Sequence, residues 1–336
     1  MGDPAGVGPE VIAGAWPDAR LHDGRELVVL GHPEWLRRAV ALRGVEVEVV
    51  PVSRLDELAS SPGVMPCLTA AAEASLAAPR CEVSALGGQA AFDCIERGID
   101  LALAQQVDGI VTLPLNKAAL REAGHHYPGH TELLAERCGV REFAMMLYLG
   151  PAPPLLGSAG LGVVHVTLHV ALRGVFEQLT SEAVLEKIRL ADVNLSAIKG
   201  SRAKVGVCAL NPHAGELGLF GDEETRIIAP AVAMAQAEGI DVSGPWPTDS
   251  LMVQAREGAF DAIVAMYHDQ GHIALKLLGM HRAVNITLGL PIVRTSVAHG
   301  TAFDLAWQGR AEINSLFEAV RVAAALAAAR STTIQA

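Results

Sequence analysis

Three histidines share one sequence context. His169 follows the apolar run Leu161–Leu168, His213 follows Val205–Leu210 within Leu-Asn-Pro-His-Ala-Gly-Glu, and His268 follows Ala262–Tyr267 within Tyr-His-Asp-Gln-Gly. Each run reads as a strand, so each imidazole stands just past a strand's C-terminal end. In open α/β sheets that edge collects ligands. Neutral imidazoles from three strand ends can converge on a divalent cation and leave positions open for substrate. The spacings of 44 and 55 residues carry no local metal signature, and three ordinary polar loop residues fit the same pattern.

Other groups could handle an anion or a proton. His272 and Lys276 follow His268 at i+4 and i+8, which puts all three on one face of a helix. Lys276 there holds an anionic substrate group, moves a proton, or is simply solvated. Asp249, in Pro-Thr-Asp-Ser, reads equally as a helix N-cap and as a catalytic carboxylate. Gly2-Asp3-Pro4-Ala5-Gly6-Val7-Gly8-Pro9-Glu10 is a Gly-rich turn entering a helix, with Pro9 suited to the first helical position. It can offer backbone N–H groups to an anion, but Val11 breaks a full GxGxxG and no Gly-Lys-Ser/Thr follows. Tyr127-Pro128-Gly129-His130-Thr131-Glu132 opens another helix. His130 and Thr131 are donors to a phosphate at its N-terminus, or Thr131 is a plain N-cap. Arg294-Thr295-Ser296 reads as an anion clamp, and His299-Gly300-Thr301-Ala302 as a turn open enough for a flat ligand.

The elements that must position these residues alternate along the chain. Strands are predicted at Glu26–Leu30, Val45–Val50, Gly109–Leu113, Phe143–Leu149, Gly162–Leu168, Val205–Leu210, Ala262–Met266 and Ala283–Leu288. Helical periodicity marks Gln89–Gln106, where Phe92, Ile95, Ile99, Ala102 and Leu103 share a face, and also Thr180–Ile198, Glu223–Glu238 and Ser315–Ala329. Ser60–Pro66 and Gly150–Gly162 read as loops. The Ala-rich stretches Thr69–Ala78 and Val322–Ala329 read as helices. Apolar strands separated by helices imply an α/β fold with a mostly parallel sheet covered on both faces.

Composition bounds the possible functions. The 336 residues suggest roughly two domains, and 51% hydrophobic against 19% charged residues supports a substantial core. Aromatics are only 4%, so that core is aliphatic. A net charge of −11 argues against nucleic-acid binding, and any anion site must be locally basic. Five cysteines, at 67, 81, 94, 138 and 208, show no CxxC spacing, which fits a reducing cytoplasm. No apolar run reaches membrane-spanning length, and the start has no secretory signal, so no membrane partner is expected.

Five of these stretches together resemble the PdxA family, the 4-hydroxythreonine-4-phosphate dehydrogenases of pyridoxal phosphate synthesis and their relatives. They are Gly-Asp-Pro-Ala-Gly-Val-Gly-Pro-Glu at the start, Pro-Gly-His-Thr-Glu at 128–132, Leu-Asn-Pro-His-Ala-Gly-Glu at 210–216, Tyr-His-Asp-Gln-Gly at 267–271, and Val284–Leu305. The resemblance implies a two-domain fold similar to isocitrate and isopropylmalate dehydrogenases. The division implied is 1–125 plus 287–336, on the cofactor side, and 126–286, carrying metal ligands and the dimer contact. It implies His169, His213 and His268 as ligands of one divalent ion (Zn, Mg, Co or Mn), shared across a homodimer interface. His130, Thr131, Lys276, Asn285 and Arg294 are implied substrate contacts, with Lys276 and Asp249 moving protons. His299, Gly300, Thr301, Ala302, Asp304 and Asn314 resemble the cofactor loop of that wider group, which takes NAD or NADP without GxGxxG.

The implied reaction is oxidation with decarboxylation of a small 4-phosphorylated hydroxy acid. Pro114-Leu115-Asn116-Lys117, the pair His125-His126, and Gly271-His272-Ile273 look closer to a paralogous branch acting on D-threonate or D-erythronate 4-phosphate. The biosynthetic branch more often has an apolar residue where His272 stands. The same anion and metal groups would serve either substrate. A metal-dependent hydrolase is the alternative of another class, and a ligand sensor on an inactive scaffold a weaker one. Two departures stand out. Family members usually carry a short strand before the Gly-Asp-Pro-Ala turn, so this N-terminus is expected to be short by a strand. Trp307 replaces a glycine common in the cofactor loop.

Overall fold

The computed structural model describes residues 1–57, 59–127 and 129–334. Its strands are β1 (Val29–Gly31), β2 (Glu48–Val52), β3 (Val64–Thr69), β4 (Ile110–Thr112), β5 (Ala144–Leu149), β6 (Leu161–His165), β7 (Val205–Cys208), β8 (Val242–Trp246), β9 (Ala262–Ala265), β10 (Val284–Leu288) and β11 (Arg294–Val297). The chain forms two compact units, Met1–Arg141 with Leu290–Ala327, and Glu142–Gly289 with Ala328–Ala336.

In the first unit, β1, β3 and β2 form a parallel sheet in that order, with β3 central. A second parallel pairing sets Arg294 of β11 beside Ile110 of β4 and Ser296 beside Thr112. Helix Ala85–Leu103 starts at Ser84, whose hydroxyl accepts the Gly87 N–H at 3.1 Å. Its buried face includes Ala91, Ile95 and Ile99. The neighbouring helix Lys117–Glu122 packs so closely that a Cβ on Gly88 would lie 2.0 Å from the Ala119 carbonyl oxygen. Because that obstacle is backbone, Gly88→Ala is expected to cost roughly 3 kcal/mol by overpacking. Urea unfolding checks this, and wild-type stability would contradict the close helix contact.

In the second unit the strand order is β10-β5-β6-β9-β7-β8. β10 with β5 and β5 with β6 are antiparallel, while β6 with β9, β9 with β7 and β7 with β8 are parallel. Every residue of β6, β7 and β9 is buried, as expected for strands covered on both faces. Helix Ser181–Lys199 is bounded by the Thr180 hydroxyl, which accepts the Ala183 N–H, and by Gly200 at φ 72°. Among the described residues, no helix is long and apolar enough to cross a membrane.

Several sequence expectations are corrected. Part of the Ser60–Pro66 loop and the start of the Thr69–Ala78 helix are instead the central strand β3. The Ala70 and Ala71 N–H groups both point to the Gly31 carbonyl, so this backbone is committed to the sheet edge, and only a short 3-10 turn, Glu73–Ala77, follows. Glu223–Glu238 is not one regular helix: a π turn, Glu224–Ile228, precedes helix Ala229–Ala237. Pro230, which lacks an N–H, sits at that change of register. The division at 125/126 also shifts. Helix His130–Arg137 belongs to the first unit, where Arg137 pairs with Glu96 at 2.8 Å, and residues 287–289 and 328–336 belong to the second.

Candidate functional site

In the first unit, anion-seeking groups meet at the C-terminal edge of β4. Arg294, the first residue of β11, is buried. Its Nε and Nη2 donate to Thr112 Oγ1 at 3.2 and 2.6 Å. Burial pulls its pKa down to about 9, against the pull of the Glu132 carboxylate. His130 opens helix His130–Arg137 and its ring bonds the Leu113 carbonyl. Its Nε2 is sealed from solvent and has no partner. Burial, and then the Arg294 charge, hold His130 well below the usual imidazole pKa, so it is neutral at pH 7. Thr131 is not the N-cap, because Gly129 occupies that position and Thr131 lies in the first turn. Pro128 of this turn lies outside the described residues. A buried guanidinium beside a helix N-terminus is a receptor for phosphate or carboxylate.

The Gly-rich turn lies at the same edge. Its helix is Gly8–Ala15, with Pro9 at the second position. Asp3 N–H donates to the Pro114 carbonyl at 2.9 Å, and Val7 N–H donates to the Thr301 carbonyl at 3.0 Å. Asp3 is fully buried, and burial pushes its pKa up to about 6 despite a bond from the Ala5 N–H. Of the expected cofactor loop, Thr301 is buried and Gly300 is exposed, with nothing within 4 Å of where a Cβ would sit. His299 Nδ1 bonds the Gly300 carbonyl oxygen and its sealed Nε2 has no partner. An open glycine beside an orphaned ring nitrogen fits the approach of a flat nucleotide. Ala302 takes φ 43°, and Asp304 is exposed. Asn314 is engaged by Glu312, which accepts both its backbone N–H and its side-chain amide. Trp307 keeps the left-handed backbone that glycine favours, at φ 59°, for a cost of about 1 kcal/mol. The indole Nε1 donates to the Pro4 carbonyl at 3.0 Å, and the Arg80 guanidinium lies 4.4 Å over the ring.

In the second unit, four imidazoles gather at the C-terminal ends of β6 and β9. His268 begins helix His268–Gly279, and its Nδ1 lies 2.6 Å from the Asp269 carboxylate, leaving Nε2 for a ligand. His169 stands 6.0 Å from His268 between ring centres. Two imidazoles sharing one ion stand roughly 5–6 Å apart by centre. His272 stacks on His268 at 3.9 Å, and its Nδ1 lies 3.0 Å from Nε2 of buried His165. Burial leads in holding His165 at about 3 and His272 at about 4, so both are neutral. Lys276 is half-buried on the same helix and its charge reaches His272. Asn285, in β10, has a sealed Oδ1 with no partner.

The structure does not bring His213 into this group. Its side chain is 75% exposed, in a run from His213 to Leu217 whose φ values are all positive. Such strain persists where the surroundings hold it. Here buried Glu224 accepts the Leu210 and Asn211 N–H groups at 2.8 and 2.7 Å. Among the described residues of one chain, no cluster of three His, Cys, Asp or Glu is arranged to hold a metal. One chain therefore offers a suitable pair, His169 and His268, rather than a full ligand set. Asp249 is not the N-cap either. Pro247 is, and exposed Asp249 accepts the Ser250 N–H.

Sequence reasoning missed His165, hidden inside the run Leu161–Leu168, and Glu224, whose role depends on a fold-back from 14 residues away. Thr112 was reachable only through the pairing of β4 with β11.

Comparison with known proteins adds an independent line. A family model described as "Pyridoxal phosphate biosynthetic protein PdxA" matches residues 23–323. The chain is 45% identical over 329 residues to a D-threonate 4-phosphate dehydrogenase of Salmonella typhimurium, covering 97% of each. It is 46% identical over 316 residues to a 4-hydroxythreonine-4-phosphate dehydrogenase of Beijerinckia indica, covering 94% of this chain and 90% of the other. A crystal structure of 4-hydroxythreonine-4-phosphate dehydrogenase from Klebsiella pneumoniae superposes with a TM-score of 0.86 at 44% identity, covering 97% of this chain and 96% of that one.

Proposed function

Since the chain belongs to the PdxA family, we propose that it oxidises and decarboxylates a 4-phosphorylated hydroxy acid, using NAD or NADP and a divalent ion. The observation that carries this reading is buried Arg294 beside the orphaned Nε2 of His130. The buried cation calls for an anionic group, and the unprotonated Nε2 of neutral His130 calls for a hydrogen-bond donor such as a hydroxyl on the same ligand. Arg294 and Thr131 hold one anionic end of the substrate, the free Nε2 of neutral His130 accepts from a substrate hydroxyl, and Lys276 and Asn285 are further substrate contacts. Lys276 is the stronger candidate for proton transfer, because Asp249 is exposed and turned to Ser250. His299, Gly300, Thr301, Ala302 and Asp304 line the dinucleotide's place. His169 and His268 hold the ion, Zn, Mg, Co or Mn, with His213 supplied across a homodimer interface. When bound, the nicotinamide accepts a hydride and the ion stabilises negative charge on the substrate. The enzyme works in the cytoplasm, a reading supported by its five free cysteines.

Within the family, the D-threonate 4-phosphate branch is favoured by His272. This residue is buried, stacked on His268 and bonded to His165, so it shapes the imidazole group directly. The expected kcat/KM is at least tenfold higher for D-threonate or D-erythronate 4-phosphate than for 4-hydroxy-L-threonine 4-phosphate. The reverse ratio would assign the chain to the biosynthetic branch.

A further inference from the structure

Asp3 is a buried carboxyl whose two oxygens have different fates. Oδ1 accepts the Ala5 N–H at 2.9 Å and closes the turn. Oδ2 is sealed from solvent with no partner, and the whole residue is 0% exposed. A turn needs only one acceptor, which an asparagine would supply equally well. The second oxygen raises the cost of burial with no hydrogen bond in return, and a buried polar atom of this kind calls for a partner that the chain does not supply.

The position narrows the ligand. The loop carrying Asp3 is tied on one side to Pro114, next to the Leu113 carbonyl that His130 bonds. On its other side, a Cβ on Gly6 would lie 2.9 Å from Thr301, and Val7 N–H bonds the Thr301 carbonyl. Gly2, at φ 77°, allows this approach, since a Cβ there would lie 2.5 Å from the Pro114 oxygen. Asp3 thus stands within one unit between the turn read as holding the dinucleotide and the group read as holding the substrate's anion. A carboxyl repels phosphate and suits a neutral donor. We infer that Asp3 Oδ2 binds the cofactor's reactive end, accepting a hydrogen bond from a hydroxyl of the nicotinamide-bearing ribose or from the carboxamide N–H. This rests on the proposed use of NAD or NADP.

Asp3→Asn is the decisive variant. It keeps an acceptor for Ala5 and nearly the same volume, but puts a donor where Oδ2 stands. Calorimetric titration should show NAD or NADP binding weakened about tenfold or more, with AMP, which lacks the nicotinamide ribose, bound as by wild type. The stability readout separates this from a folding defect. The Asp3 pKa is raised in the folded state, so its ionisation destabilises wild type as pH rises from about 4 through about 6. Asp3→Asn should therefore match wild type at low pH and unfold at a higher temperature above pH 6. Asp3→Ser, which keeps a hydroxyl for the turn and removes Oδ2, should show the same loss of dinucleotide affinity. Unchanged NAD and NADP affinity in both variants would overturn the inference, as would equal loss of dinucleotide and AMP with lowered stability. If wild type itself binds neither dinucleotide, the cofactor reading fails, a result distinct from a variant that binds normally.

Discussion

Arg294→Ala is expected to weaken binding of a phosphorylated hydroxy acid by roughly ten- to a hundredfold while leaving nicotinamide dinucleotide affinity unchanged. The loss corresponds to about 1.5–3 kcal/mol for one charge-assisted contact. The guanidinium is buried and held to Thr112 by Nε and Nη2, so its place at the β4 edge is fixed before any ligand arrives. Truncation also leaves a cavity in β11, so circular dichroism must first show a folded variant. Arg294→Lys keeps the charge and fills most of the space but loses the planar fork, and should lie between the two. Substrate affinity unchanged in Arg294→Ala would show that this arginine serves only the β4–β11 pairing.

The second large effect is recovery of activity from two inactive proteins. In the proposed dimer, each of two equivalent sites needs both chains. His169 and His268 stand 6.0 Å apart in one chain, whereas His213 lies on an exposed, left-handed segment away from them. Each of His169→Ala, His213→Ala and His268→Ala should be inactive alone. Mixing His213→Ala with either of the others gathers both defects into one site and leaves the second intact. Random exchange makes about half the dimers mixed, so activity should return to roughly a quarter of wild type. His169→Ala mixed with His268→Ala should stay inactive. Confirmed subunit exchange with no recovery in any pairing would place the metal within one chain.

The elements that frame the site were legible because their signals were local. The spacing of His268, His272 and Lys276 puts them on one face if that segment is a helix, as it is, and the strands before His169, His213 and His268 are largely apolar runs. Strand β3 was not legible, because Pro66 in its middle and the Ser-Pro-Gly before it are turn signals. The sheet overrides them by burying Met65, Pro66, Cys67 and Leu68. Strand β8 hides behind Gly244 and Pro245, and its place at the end of the strand order lets it tolerate a proline. Strand β11 reads as polar, yet all four residues are buried, since its hydroxyls find backbone partners such as Thr295 Oγ1 donating to the Ala319 carbonyl at 2.8 Å. In the site, residue types were legible and contacts were not. Nothing in the spacing of 165, 268 and 272 shows His272 stacked on His268 and bonded to His165, and nothing around Asp3 or Glu224 shows which carboxylate is satisfied.

The most direct test of the activity is product stoichiometry with purified protein, a divalent ion, NAD or NADP, and D-threonate or D-erythronate 4-phosphate. One reduced nicotinamide and one carbon dioxide should appear for each acid consumed, with the phosphate still attached and with turnover lost on chelation. Release of inorganic phosphate without any reduced nicotinamide would contradict the account and mark a metal-dependent hydrolase instead.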